Sequence, residues 1–558
     1  MRKWRIALLA LLAGPAADAR TLIVNANGIT LDAEGELVRF ATLLVGDDGR
    51  VESILPRGAR EPKLGAGDFR LDARGRTLLP GLIDAHGHVM NLGFQLRQLD
   101  LTGTASLAEA LARASVAARE IPGDGWLIGR GWNQMRWEKP EFPTAADLDR
   151  AVPDRPAALE RVDGHALWLN SAALKAAGIT AKTKDPPGGR IVRNAKGEPT
   201  GILVDAAQAL VTAVIPPPTA LERDKAMQAA FSHLLSVGVT SVHDMGVDPD
   251  SWNLYRSFGD TDRLAIRVTG YAAGTGAMDA IAPLGPTPWL YGGRLRLQGV
   301  KLYADGALGS RGAYLKAPYA DEGGNKGLLL VEETRLRNQM SRVNFFGFQL
   351  AVHAIGDGAN SLVLDAYEEL KPTYGTDFRN RIEHAQVLDV ADIPRFAALG
   401  VVASVQPIHA TSDRAMAEVR LGPDRLDGAY AWNSLLRARA RLAFGSDFPV
   451  EPANPFLGMA AAVTRDGWRT QESLTPMQAL AGFTLWAAWA GRQEGKVGTL
   501  MPGAYADFVL VDADPLAVAP SDIGRVKVLE TWVGGRRMFD SSRPPSGDDR
   551  PVAPDRKP

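Results

Sequence analysis

The chain has 558 residues, 46% of them apolar and 23% charged, a formal net charge of −1 and no cysteine. That length calls for more than one structural unit, and the balanced charge leaves no basic field for nucleic acid, so the expected partner is a small molecule. Without thiols, disulfide frameworks, iron–sulfur clusters, zinc ribbons and cysteine nucleophiles are excluded, and any zinc must rest on histidine and carboxylate.

The chain opens on basic residues, Met1-Arg2-Lys3-Trp4-Arg5, then an apolar run from Ile6 to Ala13, then the small-x-small triplet Ala17-Asp18-Ala19. This is the layout of a secretory signal peptide over residues 1–19, with a periplasmic or secreted product as the expectation. A buried N-terminal strand or helix is the competing reading. No later stretch reaches the roughly 18 uninterrupted apolar residues of a spanning helix, so no stable membrane anchor is expected.

Residues Arg20–Ile29 and Thr42–Leu55 alternate as strands do, and a β-rich piece returns at Ala506–Asp512 and Val528–Phe539. Between these ends, eight apolar runs read as strands: Leu78–His88, Val239–Met245, Ala265–Tyr271, Arg296–Tyr303, Gln349–His353, Arg381–Ala385, Val401–Gln406 and Arg441–Asp447. Helical stretches such as Arg223–Val237, Ser361–Glu369, Val390–Leu399 and Pro476–Ala490 separate them. Eight strands alternating with helices predict an α/β fold, a closed (β/α)8 TIM barrel. Positions 89–238 are too long for an ordinary crossover and must include an inserted lobe, which carries Trp126, Trp132, Trp137 and Trp168. Ser541–Pro558 is rich in Pro, Asp and Arg and reads as a disordered tail.

Chemistry-bearing residues gather where those strands end. The first ends in Asp84-Ala85-His86-Gly87-His88; the fourth carries Lys301, the fifth His353, the sixth His384 and the eighth Asp447. Residues two apart in a strand share a face, so His86 and His88 point the same way, toward the C-terminal mouth where barrel active sites lie. His384 is expected on the face of Ile382, and Asp447 on that of Ala443 and Gly445. Taken singly, each has a bland reading: a hydrogen-bonded core histidine, or a lysine snorkelling to solvent. Jointly they form a ligand set for divalent metal, and the chain reads as a metal-dependent hydrolase.

This order of residues resembles the amidohydrolase superfamily over nearly all of residues 20–540. Val300–Arg311, Val162-Asp163-Gly164-His165 and Gly129-Arg130-Gly131-Trp132-Asn133 resemble its N-substituted formamide deformylase-like branch (amidohydrolase family 3). The resemblance implies a β-sandwich from both chain ends (residues 20–77 and 491–540) and a barrel over 78–490 with the lobe inserted at about 100–222. It implies one or two Zn2+: His86, His88 and Asp447 hold the more buried ion, His353 and His384 the other, and carbamylated Lys301 bridges them. Two cations about 3.5–4 Å apart can share one hydroxide and polarise a carbonyl. Asp447 would then act as general acid/base.

Four further residues are candidates for substrate contact. His165 reaches from the lobe, Arg311 follows the fourth strand, Trp132 lines a lid folded over the mouth, and His409 follows the seventh strand. His243, ending the second strand, is a weaker candidate of the same kind, and Asp305 is a candidate support for the metal ligands. The expected activity is hydrolysis of a non-peptide C–N bond in an N-substituted formamide or N-acyl amine, by metal-hydroxide attack. A cyclic amide, ester or carbamate is an open alternative, as is a metal-stabilised binding protein without catalysis. Monomer and homo-oligomer are both left open.

Overall fold

A computed structural model of the chain describes residues 19–120, 125–162 and 164–543. The signal-peptide segment before Ala19 and the tail from 544 lie outside the described residues. The chain divides into two units: one holds the residues before Gly93 and after Ala229, the other is Gly93–Ala229.

The core of the first unit is a sheet of eight parallel strands, hydrogen-bonded in chain order: β1 (Leu82–Gly87), β2 (Val239–Val247), β3 (Arg267–Ala273), β4 (Leu295–Tyr303), β5 (Gln349–Ala354), β6 (Arg381–His384), β7 (Val402–Val405) and β8 (Arg441–Phe444). Helices lie between them in sequence, among them Pro249–Asp260, Glu333–Phe345 and Asp357–Tyr374. This is the expected (β/α)8 barrel. Strand burial is almost complete, as it must be for parallel strands covered on both faces.

The seam between β8 and β1 is closed beyond the end of β8. Gly87 bridges Phe448 in parallel register. The Asp447 amide donates to the His86 carbonyl at 2.7 Å, and the His88 amide to the Phe448 carbonyl at 2.9 Å. Buried Asp84 accepts from the Ser446 hydroxyl at 2.6 Å and the Ser446 amide at 3.1 Å. Two glycines allow this approach. A Cβ at Gly87 would stand 2.2 Å from the Phe448 ring, and one at Gly445 would stand 2.4 Å from the His86 amide nitrogen.

Both chain ends build two further sheets of this unit. One has the order Val51–Leu55, Thr42–Val45, Thr21–Val24, Phe69–Asp72; the other runs Arg536–Asp540, Val528–Val533, Phe508–Val511, Thr77–Pro80, Asn27–Leu31, Leu37–Phe40. They share a core of Ile23, Leu43, Leu78, Phe508 and Trp532. The strand expected over Arg20–Ile29 is two strands in two sheets, because Asn25 takes a left-handed φ of 53° between them. Likewise Leu78–His88 divides at Gly81, so that one half joins the terminal sheet and the other opens the barrel. The long helix expected over Pro476–Ala490 is two, Pro476–Gly482 and Leu485–Ala490.

The second unit carries a six-stranded sheet in the order Gly189–Arg193, Pro199–Asp205, Ala166–Leu169, Ala157–Arg161, Leu127–Trp132, Leu99–Asp100. Trp132, Trp137 and Trp168 pack in its core at ring separations of 6.1–6.4 Å. Among the described residues no helix is long and apolar enough to cross a membrane.

Candidate metal centre

Five of the chain's eight histidines converge where β1, β5, β6 and β7 end, all within the first unit. Asp447 sits among them. Its Oδ1 lies 3.1 Å from His88 Nε2 and 3.5 Å from His86 Nε2, and its Oδ2 lies 3.9 Å from His409 Nε2. Two groups have donor atoms all within 4.8 Å of one another: His86, His88 and Asp447, and His384, His409 and Asp447. His353 stacks edge-on to His384 at 4.5 Å between centroids. Lys301 is fully buried, with Nζ 3.2 Å from His86 Nε2.

Two of these side chains reach the cluster by leaving strand geometry. Inward-facing positions of β6 are Arg381 and Glu383, not Ile382 as the alternation argument expected. His384 turns in because its φ is 75°, in the left-handed region. Asp447 likewise follows the end of β8 with φ 60°. Non-glycine residues in this region cost of order 1–3 kcal/mol and persist where surrounding structure over-determines them.

Beneath the cluster lies a buried polar network that sequence reasoning missed. Glu383 accepts from His86 Nδ1 at 2.6 Å, which leaves the Nε2 lone pair facing Asp447. Arg381 donates to both Glu383 oxygens at 2.7 and 3.0 Å, and to Ala85 O, Ser404 Oγ and His243 Nδ1. His243 is therefore a member of this network, held on its other side by Gln493 at 3.2 Å. The readable signal was Arg381-x-Glu383, opposite charges on one face of a buried strand. Asp305, one strand-end away, accepts from the amides of Tyr314, Ile355 and Gly356 and lies 3.6 Å from His353 Nε2. It ties the loops after β4 and β5 together beside His353.

Burial dominates the electrostatics. It pulls the Lys301 ammonium down to about 8 against the pull of Glu383 and Asp447. Burial, helped by the nearby Lys301 charge, pulls His86 to about 4 and His353 to about 3, so both imidazoles are neutral donors. Burial also opposes ionisation of Asp447 and Glu383. A hydrogen bond from His88 opposes this at Asp447, and the Arg381 guanidinium opposes it at Glu383; both carboxyls stay well below their usual range.

The donor set fits a divalent cation. His353 Nε2 and His409 Nε2 are buried without a hydrogen-bond partner. A buried polar atom left so costs about 1–3 kcal/mol, a penalty that a cation on the lone pair removes. Neutral imidazoles around an ionised carboxylate, with no thiolate, are ligands for zinc and similar ions.

The other sequence candidates fall elsewhere. Trp132 is fully buried in the second unit's core, its indole donating to the Leu159 carbonyl at 2.7 Å, so its ring surface goes to packing and offers no wall for substrate. Trp137 and Trp168 are buried with it. His165 is exposed and pairs with Asp205 at 2.8 Å. Arg311 pairs with Asp321 at 2.9 Å and Glu322 at 3.1 Å, so its charge already has anionic partners. His409, expected at substrate, lies beside His384 and Asp447, with donor atoms within 4.8 Å of theirs.

The profile of the amidohydrolase family matches residues 71–539. Protein LONG AFTER FAR-RED 3 of Arabidopsis thaliana is 34% identical over 551 residues, covering 95% of this chain and 93% of that protein. N-substituted formamide deformylase of Arthrobacter pascens is 29% identical over 549 residues, covering 93% of this chain and 98% of that enzyme. The crystal structure of an uncharacterized metal-dependent hydrolase from Pyrococcus furiosus superposes with a TM-score of 0.75 at 29% identity, covering 89% of this chain and 100% of that one.

Proposed function

This chain belongs to the amidohydrolase family, a hydrolase of non-peptide C–N bonds, and on that premise we propose that it cleaves an N-substituted formamide or N-acyl amine at a zinc centre. The observation that carries the reading is Asp447, a buried carboxylate with imidazoles on both of its oxygens. His86, His88, Lys301, His353, His384 and Asp447 would hold one or two ions. Bound zinc supplies Lewis-acid polarisation of a carbonyl and lowers the pKa of water to near neutrality.

The protein's own residues do the rest. Glu383 holds the proton on His86 Nδ1 and so orients the ring, as carboxylate partners of metal-bound histidines do. Burial brings the Lys301 pKa to about 8, which favours the neutral amine, the form that adds CO2 and releases a proton; its carbamate would be a bidentate anion among the imidazoles. Asp447 would serve as the general acid/base, taking a proton from water and returning it to the departing amine. The similarity to the Arthrobacter pascens enzyme favours the formamide class.

The test is amine release from N-benzyl, N-alkyl and N-carboxyalkyl formamides and acetamides, with and without chelator. Formamides should turn over with metal present, and Asp447→Asn should lower kcat by about 10²–10⁴, the range for losing a positioned acid–base. Metal-replete protein inert on these and on an ester, carbamate and cyclic amide panel would instead indicate a binding protein. Residues 1–19 support a further proposal, export to the periplasm or medium. Native protein should begin near Arg20, and terminal sequencing that reads from Met1 would place the enzyme in the cytoplasm.

A further inference from the structure

The floor of the barrel, at the end opposite the histidine cluster, holds a buried cation without a counter-ion. Arg296 is the second residue of β4 and 7% exposed. Burial lowers its pKa to about 10, so it stays charged at neutral pH. Its Nη2 donates to the Gly491 carbonyl, and the Trp289 ring covers its guanidinium at 4.5 Å. Its Nε is buried and has no acceptor among the described residues. The carboxylate that acts on it through space, Glu494, is already engaged by Arg379 at 2.6 Å. A charge buried in this way is costly unless something pairs with it.

Other polar groups without partners gather around it. Thr269 stands opposite Arg296 in the β3–β4 register, and His243 stands opposite Thr269 in the β2–β3 register. Ser241, two residues before His243, shares its face. The hydroxyls of Ser241 and Thr269 are buried and unpartnered. Gln493 is 1% exposed, and the orientation of its amide follows from its neighbours. Arg381 can only donate, so its 2.8 Å contact makes His243 Nδ1 an acceptor. The His243 proton is then on Nε2, and it goes to Gln493 Oε1 at 3.2 Å. Gln493 Nε2 is left as a second buried donor with no acceptor. The bond from Arg296 holds this turn against the strands, so closely that a Cβ at Gly491 would stand 2.3 Å from His243 Nε2.

The balance of these groups is one-sided. Arg296 Nε and Gln493 Nε2 only donate, the two hydroxyls can each donate, and the charge is positive. We propose that the barrel floor binds a small monovalent anion of the halide class, held by Arg296, Gln493, Thr269 and Ser241. A halide accepts from every one of these donors and neutralises the guanidinium. A water would have two hydrogens of its own to place and would leave the charge uncompensated. The site uses none of the candidate metal ligands, so it stands or falls independently of the hydrolase reading.

The experiment uses full-length protein in sodium gluconate, with chloride substituted stepwise at constant ionic strength and thermal unfolding followed by circular dichroism. Wild type should show a saturable rise in Tm with chloride, as mass action requires of a ligand that binds the folded state. Crystals soaked in bromide should show an anomalous peak beside Arg296 Nε. Arg296→Met should abolish the chloride response. Thr269→Val keeps both shape and charge, and should raise the half-saturating chloride concentration about tenfold, the loss of one hydrogen bond to a charged group. Should Arg296→Met fail to fold, Thr269→Val and the bromide map decide. A Tm indifferent to chloride, with water and no bromide at Arg296, overturns the proposal. So does a chloride response that persists in Arg296→Met or is unmoved in Thr269→Val, since the anion then binds elsewhere. A bromide peak without a saturable response in solution marks binding at crystal concentration only, and overturns it as well.

Discussion

At the scale of single residues, Glu383 is the side chain whose role is most sharply constrained. It is fully buried, doubly bonded to Arg381 and 2.6 Å from His86 Nδ1. Glu383→Gln would keep the shape but weaken the hold on the His86 proton. Loss of such an outer partner costs about 10–100-fold in metal affinity, and competition with a chromophoric chelator should show a weakening in that range. Unchanged affinity would mean that Arg381 and packing alone orient the ring. Lys301→Ala tests the carbamate: activity should vanish and return in part with added acetate, a small carboxylate able to enter the vacated space. A fully active Lys301→Ala enzyme would make the lysine structural. His86, His88 and Lys301 were legible because a barrel strand pattern and a strand end place them together. Glu383 was not, since a buried acid reads as a ligand or a salt bridge until its partners are seen. The burial of Trp132 was not legible, because the Gly-Trp-Asn motif says nothing of which side of its own sheet packs the ring.

At the scale of elements, the barrel strands were legible within a few residues because each is a short apolar run bounded by polar turns. What alternation could not supply was the facing of β6. A period-two argument holds only while φ stays extended, and His384 at φ 75° steps outside it. The β8–β1 seam was equally hidden, since it is made by residues after β8 rather than by a ladder. That seam yields a prediction. Gly445→Ala would place a methyl 2.4 Å from the His86 amide and 2.8 Å from Asp84 Oδ1. Overpacking of this kind costs about 1–3 kcal/mol. The variant should lower the urea midpoint accordingly and weaken binding of the ion held by His86 and Asp447. A variant with wild-type stability and metal content would show that the strands can part there without consequence.

At the scale of the whole molecule, a buried ion pair joins the six-stranded terminal sheet to the barrel. Arg267, at the start of β3, gives both Nε and Nη2 to Asp507 at 2.6 and 2.8 Å, and its guanidinium lies 3.7 Å from the centre of the Tyr505 ring. Asp507 also accepts from the Gly534 amide at 2.7 Å. Both side chains are 2% exposed. Removing one partner strands a buried charge, which costs about 3–5 kcal/mol, whereas replacing both with apolar residues is far milder. Urea denaturation of Arg267→Met, Asp507→Leu and the double variant should show the double variant more stable than either single one. Additive losses would mean that the pair is not coupled. From the sequence, the terminal β-rich pieces could be matched to each other, but the strands divided at Asn25 and Gly81 could not be assigned to separate sheets.

The closure beyond β8 has a thermodynamic corollary. The Asp447 amide and the His86 carbonyl that zip the barrel shut belong to the residues that would grip an ion through their side chains. Cation occupancy and barrel closure then draw on a single equilibrium: whatever favours the shut cylinder raises affinity, and whatever binds there tightens the cylinder by mass action. A chelator would thus act on this protein as a selective denaturant, loosening one staves-to-hoop joint first. Amide hydrogen exchange at Ser446, Asp447 and His88 should quicken on chelation before the other strands respond.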